Sequence, residues 1–198
     1  MGQTIDIDKA SRQLKKSMGS YRYNHTQGVR YTAAALAMCH GEDAYKAELA
    51  GLLHDCAKEI PDASKLKICE KRHIPVTEVE KENPFLLHAK LGAYLASEDY
   101  GVADEAVLSA ITWHTTGRPA MSRLDQIVFI ADYIEPHRNK SENLPQIRAM
   151  AFKDLDECCY MVLKDTLVFL KRKSARVDQH SRAAFEYYEE IHFDKYPE

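Results

Sequence analysis

The chain has little glycine and little proline, eight and seven residues in 198, and no run of alternating apolar and polar residues. Strand-built folds need that alternation and frequent turn residues, so an all-α fold is expected. No apolar run approaches the roughly 20 residues of a membrane span. The start, Met1-Gly2-Gln3-Thr4-Ile5-Asp6, lacks the charged and apolar regions of a signal peptide. Gly2 follows Met1, but nothing basic or lipid-directed supports myristoylation. The five cysteines, Cys39, Cys56, Cys69, Cys158 and Cys159, are odd in number and contain no Cys-x-x-Cys. Both facts fit reduced thiols in a cytoplasmic protein better than a disulfide framework. A basic excess is also missing: net charge is −3 and the pI about 6.3, which argues against broad nucleic-acid binding. Neither a Gly-x-x-x-x-Gly-Lys-[Ser/Thr] loop, a Gly-x-Gly-x-x-Gly turn nor a Gly-x-Ser-x-Gly elbow occurs, so mechanisms built on them are unsupported.

What is present is helical punctuation. Length suits one core, and the chain reads as one domain, residues 1–198. Helices are expected over 8–18, 24–39, 43–58, 62–72, 85–100, 105–114, 122–134, 146–152, 154–173 and 179–191. Gly41 and Gly101 act as stops and Asp43 and Asp104 as caps. No internal repeat or linker interrupts them.

The chemistry concentrates in Leu52-Leu53-His54-Asp55-Cys56-Ala57-Lys58, at the end of the apolar run Ala47–Leu53. An unpaired charge taken out of water costs several kcal/mol, so a buried carboxylate is normally paired or metal-bound. Alone, the pair reads as a helix C-terminus where His suits the dipole. It is not alone: His25 lies in Arg22-Tyr23-Asn24-His25-Thr26, His88 in Leu86-Leu87-His88-Ala89, His114 in Ile111-Thr112-Trp113-His114-Thr115, and Asp132 in an apolar run. Asp132 is the lone acid between Ile127 and Ile134, and Asp is almost never buried without a partner. The bland alternatives are an Asp bonded to Tyr or to a backbone amide, a His88 bonded to a carbonyl, and a His114 capping a helix beside Trp113. Cys56, next to Asp55, reads as an apolar filler.

The order His, His-Asp, Asp resembles the HD-domain metal-dependent phosphohydrolases. Closer still, Arg22-Tyr23-x-His25, Leu52-Leu53-His54-Asp55-x-Ala57-Lys58, Leu87-His88, His114-Thr115-Thr116-Gly117-Arg118 and Ala131-Asp132-Tyr133-Ile134-Glu135-Pro136-x-Arg138 resemble the YqeK-type symmetrical bis(5′-nucleosyl)-tetraphosphatases. The resemblance implies a helical HD-domain bundle in which His25, His54, Asp55 and Asp132 hold one divalent metal. His88 and His114 either bind a second ion bridged by Asp55 or contact phosphate directly. Iron is the metal the resemblance favours, and manganese or zinc also suit a nitrogen and oxygen ligand set. Asp55, Lys58, His88 and His114 are the expected catalytic residues. The expected activity is hydrolysis of diadenosine tetraphosphate to two ADP. Rivals are another HD-type hydrolase, acting on deoxynucleotides or guanosine polyphosphates, and a nucleotide-binding sensor without turnover.

A polyphosphate needs surrounding cations. Lys58 reaches the cavity if its helix continues one turn past His54; otherwise it is an exposed helix-end lysine. Arg22, Arg118 and Arg138 suit bidentate phosphate contacts. Thr115, Thr116 and Gly117 offer hydroxyls and a backbone of close approach, or simply a glycine turn. Arg176, near the basic run Lys171-Arg172-Lys173, is read first as a solvated helix end and second as a phosphate contact. The expected partner is therefore a dinucleoside polyphosphate or ADP, with no nucleic acid and no membrane; a homodimer is left open.

Overall fold

The computed structural model describes residues 4–139 and 141–197. These form α1 (Ile7–Ser17), α2 (Ser20–His40), α3 (Ala44–Leu53), α4 (Asp62–Lys71), α5 (Glu78–Glu82), a 3₁₀ turn (Pro84–Leu87), α6 (His88–Tyr100), α7 (Glu105–Trp113), α8 (Arg123–Ile134), α9 (Leu144–Ala151), α10 (Leu155–Arg172) and α11 (Gln179–Lys195). Among the described residues there is no strand, and the fold is all-α. No described helix is long and apolar enough to cross a membrane.

Short acidic and hydroxyl side chains start most helices. Asp6, Asp43, Asp104, Asp154 and Asp178 each accept a backbone N–H of the turn they open. Thr77 and Ser122 form reciprocal capping boxes with Glu80 and Asp125. Such caps satisfy donors that the helix cannot. Gly41 and Gly101 end α2 and α6 at φ +68° and +73°, a conformation glycine adopts without a Cβ clash.

One continuous core joins α1 to α11. α8 lies near its middle and packs on α2, α3, α7 and α10. Ile127, Val128, Ile130 and Ala131 are fully buried, which accounts for the apolar run around Asp132. α2 and α3 approach closely at Gly51, where an added Cβ would lie 3.1 Å from both the Arg30 Cα and the Val29 carbonyl oxygen. That closeness brings the His25 stretch against the end of α3.

Several expected helices have different bounds: α9 starts at Leu144, α11 runs on to Lys195, and three shifts bear on the site. α2 begins at Ser20, not Asn24, so Arg22 is helical; the Gly19 N–H is satisfied from outside by Glu59 at 2.8 Å. α3 stops at Leu53 instead of running to Lys58. There the Gly51 carbonyl accepts the His54 ring N–H at 2.7 Å, and the chain continues in tighter turns, Cys56 N–H to Leu53 and Lys58 N–H to Asp55. The stretch read as one helix over 85–100 is the 3₁₀ turn followed by α6. Pro84 starts that turn, and its tighter winding ends at His88.

Candidate active site

Six side chains from five parts of the chain converge on one point. His25 comes from α2 and Asp132 from α8. His54 and His114 stand at the C-caps of α3 and α7, His88 opens α6, and Asp55 lies in the turn after α3. Asp55 is the hub and is 2% exposed. Its Oδ2 lies 3.4 Å from His54 Nε2 and 3.7 Å from His25 Nε2. Its Oδ1 lies 3.3 Å from His88 Nε2 and 3.7 Å from His114 Nε2. Asp132 Oδ1 faces the first half of this cluster, 3.0 Å from His25 Nε2 and 3.8 Å from His54 Nε2.

The imidazoles are held from behind. His54, His88 and His114 direct Nδ1 at the carbonyls of Gly51, Phe85 and Ile111, at 2.7, 2.6 and 2.7 Å. His25 directs Nδ1 at the Glu135 carboxylate, at 3.1 Å. A ring that donates from Nδ1 presents a lone pair at Nε2, the form that binds metal. All four Nε2 atoms thus face inward as acceptors. His88 and His114 Nε2 stand 3.1 Å apart, and the shared Thr115 hydroxyl, 3.1 and 3.0 Å away, has only one proton to give.

This donor set fits a cation. His25 Nε2, His54 Nε2 and Asp55 Oδ1 are buried without any hydrogen-bond partner, an arrangement that is costly unless something positive sits among them. Three overlapping groups, His25/His54/Asp55, His54/His114/Asp132 and Asp55/His88/His114, each place three ligand atoms within 4.8 Å of one another.

Electrostatics follow the same geometry. Burial opposes ionisation of Asp55, but the surrounding imidazoles, His54 first and then His114 and His88, hold it well below the usual carboxylate range. Asp132 is likewise held low, against burial, by His25 and Arg138. Burial pushes His88 down to about 4, aided by the Lys58 charge, and also lowers His114. His54 is raised, because the Asp55 and Asp132 charges outweigh its burial.

Cations ring the more open side. Arg22 Nη1 lies 2.7 Å from Asp55 Oδ2, and Arg138 Nη2 lies 2.7 Å from Asp132 Oδ1. Lys58 Nζ donates to His88 Nε2 at 2.9 Å. Lys58 reaches the cluster through the turns after α3, not along a continued helix. Burial and the neighbouring guanidinium groups lower its amine, against the pull of Asp55. Two expected phosphate contacts pair with carboxylates outside the cluster. Arg118 pairs with the buried Asp125 of the α8 capping box at 2.8 Å. Arg176 pairs with Glu82 at 2.8 Å, both side chains more than half exposed. Sequence reading gave Glu135 no role. Its signal was an acid directly after an apolar helix, one turn beyond Asp132.

Comparison with known proteins agrees with this geometry. The HD domain family model matches residues 22–137. The chain is 39% identical to the symmetrical bis(5′-nucleosyl)-tetraphosphatase of Bacillus subtilis (strain 168), over 87% of this chain and 92% of that one. It belongs to this family of HD-domain proteins. The Staphylococcus aureus (strain NCTC 8325 / PS 47) member is 36% identical, covering 93% of this chain and 95% of its own. A crystal structure from Clostridium acetobutylicum, described as an HD superfamily hydrolase involved in NAD metabolism, matches with a TM-score of 0.91 and 37% identity. It covers 96% of this chain and all of that one. HD-domain hydrolases are metal-dependent, and the His/Asp cluster lies within the matched residues.

Proposed function

We propose that the protein is a symmetrical bis(5′-nucleosyl)-tetraphosphatase that hydrolyses diadenosine tetraphosphate to two ADP. The observation that carries this reading is the convergence of four imidazole Nε2 atoms on the single buried Asp55 carboxylate, in a chain of this family. His25, His54, Asp55 Oδ2 and Asp132 would hold one divalent ion. His88, His114 and Asp55 Oδ1 would hold a second. Their Nδ1 hydrogens are committed to carbonyls, so their inward lone pairs suit a cation better than a phosphate oxygen. Iron is the metal proposed; manganese and zinc share the ligand chemistry. Divalent cations bound there supply a water of lowered pKa and offset phosphate charge.

The chain's own residues do the rest. Arg22, Lys58 and Arg138, at 23, 29 and 37% side-chain exposure, form the polyphosphate-gripping rim. The Thr115 hydroxyl between His88 and His114 gives a further contact. Gripping the phosphates on both sides of the centre places the central bridging oxygen in line for departure with ADP. All five cysteines are free thiols, which suits the reducing cytoplasm proposed for it.

The test is product analysis with metal-loaded protein. ADP as the nucleotide product is expected, with one label from isotopic water in one of the two ADP molecules. Activity lost to a chelator should return with Fe²⁺ or Mn²⁺. ATP plus AMP would reject symmetrical cleavage. Turnover confined to deoxynucleotides or guanosine polyphosphates, or none at all with metal bound, would reject the substrate.

A further inference from the structure

His25 differs from the other three histidines in what stands behind it. His54, His88 and His114 each take the carbonyl three residues earlier. Those carbonyls lie in the last turns of α3, the 3₁₀ turn and α7, where acceptor capacity is left over, although the Phe85 carbonyl also takes the His88 backbone N–H. His25 sits inside α2 (Ser20–His40), where the helix itself uses the preceding carbonyls. Its Nδ1 partner must come from elsewhere, and Glu135 supplies it across 110 residues of sequence.

Glu135 is built into place. It is 1% exposed and directly follows α8. Its other oxygen, Oε2, accepts the His137 backbone N–H at 2.7 Å and the His137 ring at 3.0 Å. Arg148 ties down the Ile134, Glu135 and Arg138 carbonyls around it, at 2.9, 2.8 and 3.0 Å. Opposite stands Gly28, three residues after His25 on the same helix. A Cβ there would lie 2.4 Å from Glu135 Oε2. A mid-helix glycine costs roughly 0.5–1 kcal/mol against alanine; here it opens the space the carboxylate fills.

We infer that Glu135 is a positioning residue of the metal centre, fixing the His25 ring so that Nε2 faces Asp55 and Asp132, and that Gly28 is required for it. A carboxylate behind a ligating imidazole sets its tautomer and orientation and makes it a stronger donor. This rests on the metal-site reading above.

The experiment is Mn²⁺ titration of the metal-stripped full chain, alongside its thermal unfolding. Glu135→Gln keeps one acceptor but loses the charge and turns an amide toward the His137 N–H. Its Mn²⁺ dissociation constant should rise about 10- to 100-fold. Gly28→Ala keeps every ligand and carboxylate yet displaces Glu135, and should move the constant in the same direction. A merely structural role would lower the unfolding temperature and leave the folded protein's affinity unchanged. A wild-type constant in folded Glu135→Gln overturns the inference; should that variant not fold, a wild-type constant in Gly28→Ala does so. Mn²⁺ binding that Asp55→Asn leaves intact would put the ion elsewhere, and the metal-site reading would fall with the inference.

Discussion

Replacing His88 with glutamine in the metal-stripped protein should make it less sensitive to acid. His88 is fully buried, and burial, aided by the Lys58 charge, pushes its imidazole from 6.5 down to about 4, against the pull of the Asp55 carboxylate. A folded pKa below the unfolded one means that the folded state resists protonation. The stability that neutral His88 lends is complete above about pH 6.5 and drains away as pH falls toward 4. Each pH unit inside that window removes about 1.4 kcal/mol. Between pH 7 and pH 5 the loss from this one group integrates to about 2 kcal/mol. The raised His54 contributes with the opposite sign, but it is common to both proteins and cancels in the difference. Urea unfolding of wild type and His88→Gln, followed by far-UV circular dichroism at pH 7, 6 and 5, measures that difference directly. Wild type should lose about 2 kcal/mol more than the variant. A difference that stays flat across the range would show that His88 is not held neutral by the buried cluster, and the inward lone-pair argument would fail at this ligand.

Three further outcomes follow from the same geometry. Asp132→Ala removes the carboxylate 3.0 Å from His25 Nε2 but no core methyl, so it should lose metal and activity while keeping wild-type helicity; full metal content by elemental analysis would reject the ligand role. Lys58→Ala should keep the metal and lower kcat/KM about 10- to 100-fold, the worth of one charge-assisted contact; an unchanged kcat/KM returns Lys58 to the solvent. Gly51→Ala meets backbone atoms at 3.1 Å, which cannot swing aside. The overpacking cost of about 1–3 kcal/mol should exceed the helix-propensity gain of up to 1 kcal/mol, lowering the melting temperature; a melting temperature at or above wild type would show that α2 and α3 can separate freely.

The residues of the His/Asp cluster were legible because burial leaves a mark in sequence. An acid such as Asp132 stands out inside a run of Ile, Val, Phe and Ala, and its side chain is 21% exposed, while His54-Asp55 closes a run that is itself core. Helix starts were legible where an Asp cap opens them, as at Asp43 and Asp104. What periodicity could not see was set by partners far along the chain. α3 ends at Leu53, where the His54 ring takes the Gly51 carbonyl, an event of side-chain geometry that propensity does not register. Arg118 and Arg176 each pair with a carboxylate outside the cluster, Asp125 and Glu82, and a guanidinium pairs with the acid that the fold brings to it.

Glu135 shows why a supporting residue is harder to read than a ligand. A ligand is conspicuous as a polar atom among apolar neighbours. A supporting acceptor is needed only where the backbone cannot provide one, and that depends on where in its helix the ligand sits. His54, His88 and His114 lie at helix ends and use carbonyls three residues away, so their sequences carry no second acid. His25 lies within α2, and its mid-helix position calls for a distant partner. The trace of that need is split between two residues that look unrelated: an unforced glycine one turn along the helix, and an acid 110 residues later. Reading a mid-helix histidine ligand as a demand for a remote carboxylate, and a nearby helical glycine as the room for it, joins the two. The joint demand makes a further claim: Gly28→Ala and Glu135→Gln should not add. Once the carboxylate is displaced its charge no longer matters to His25, so the double variant's Mn²⁺ affinity should match the weaker single variant. Fully additive losses would mean that the two residues act on the metal centre independently.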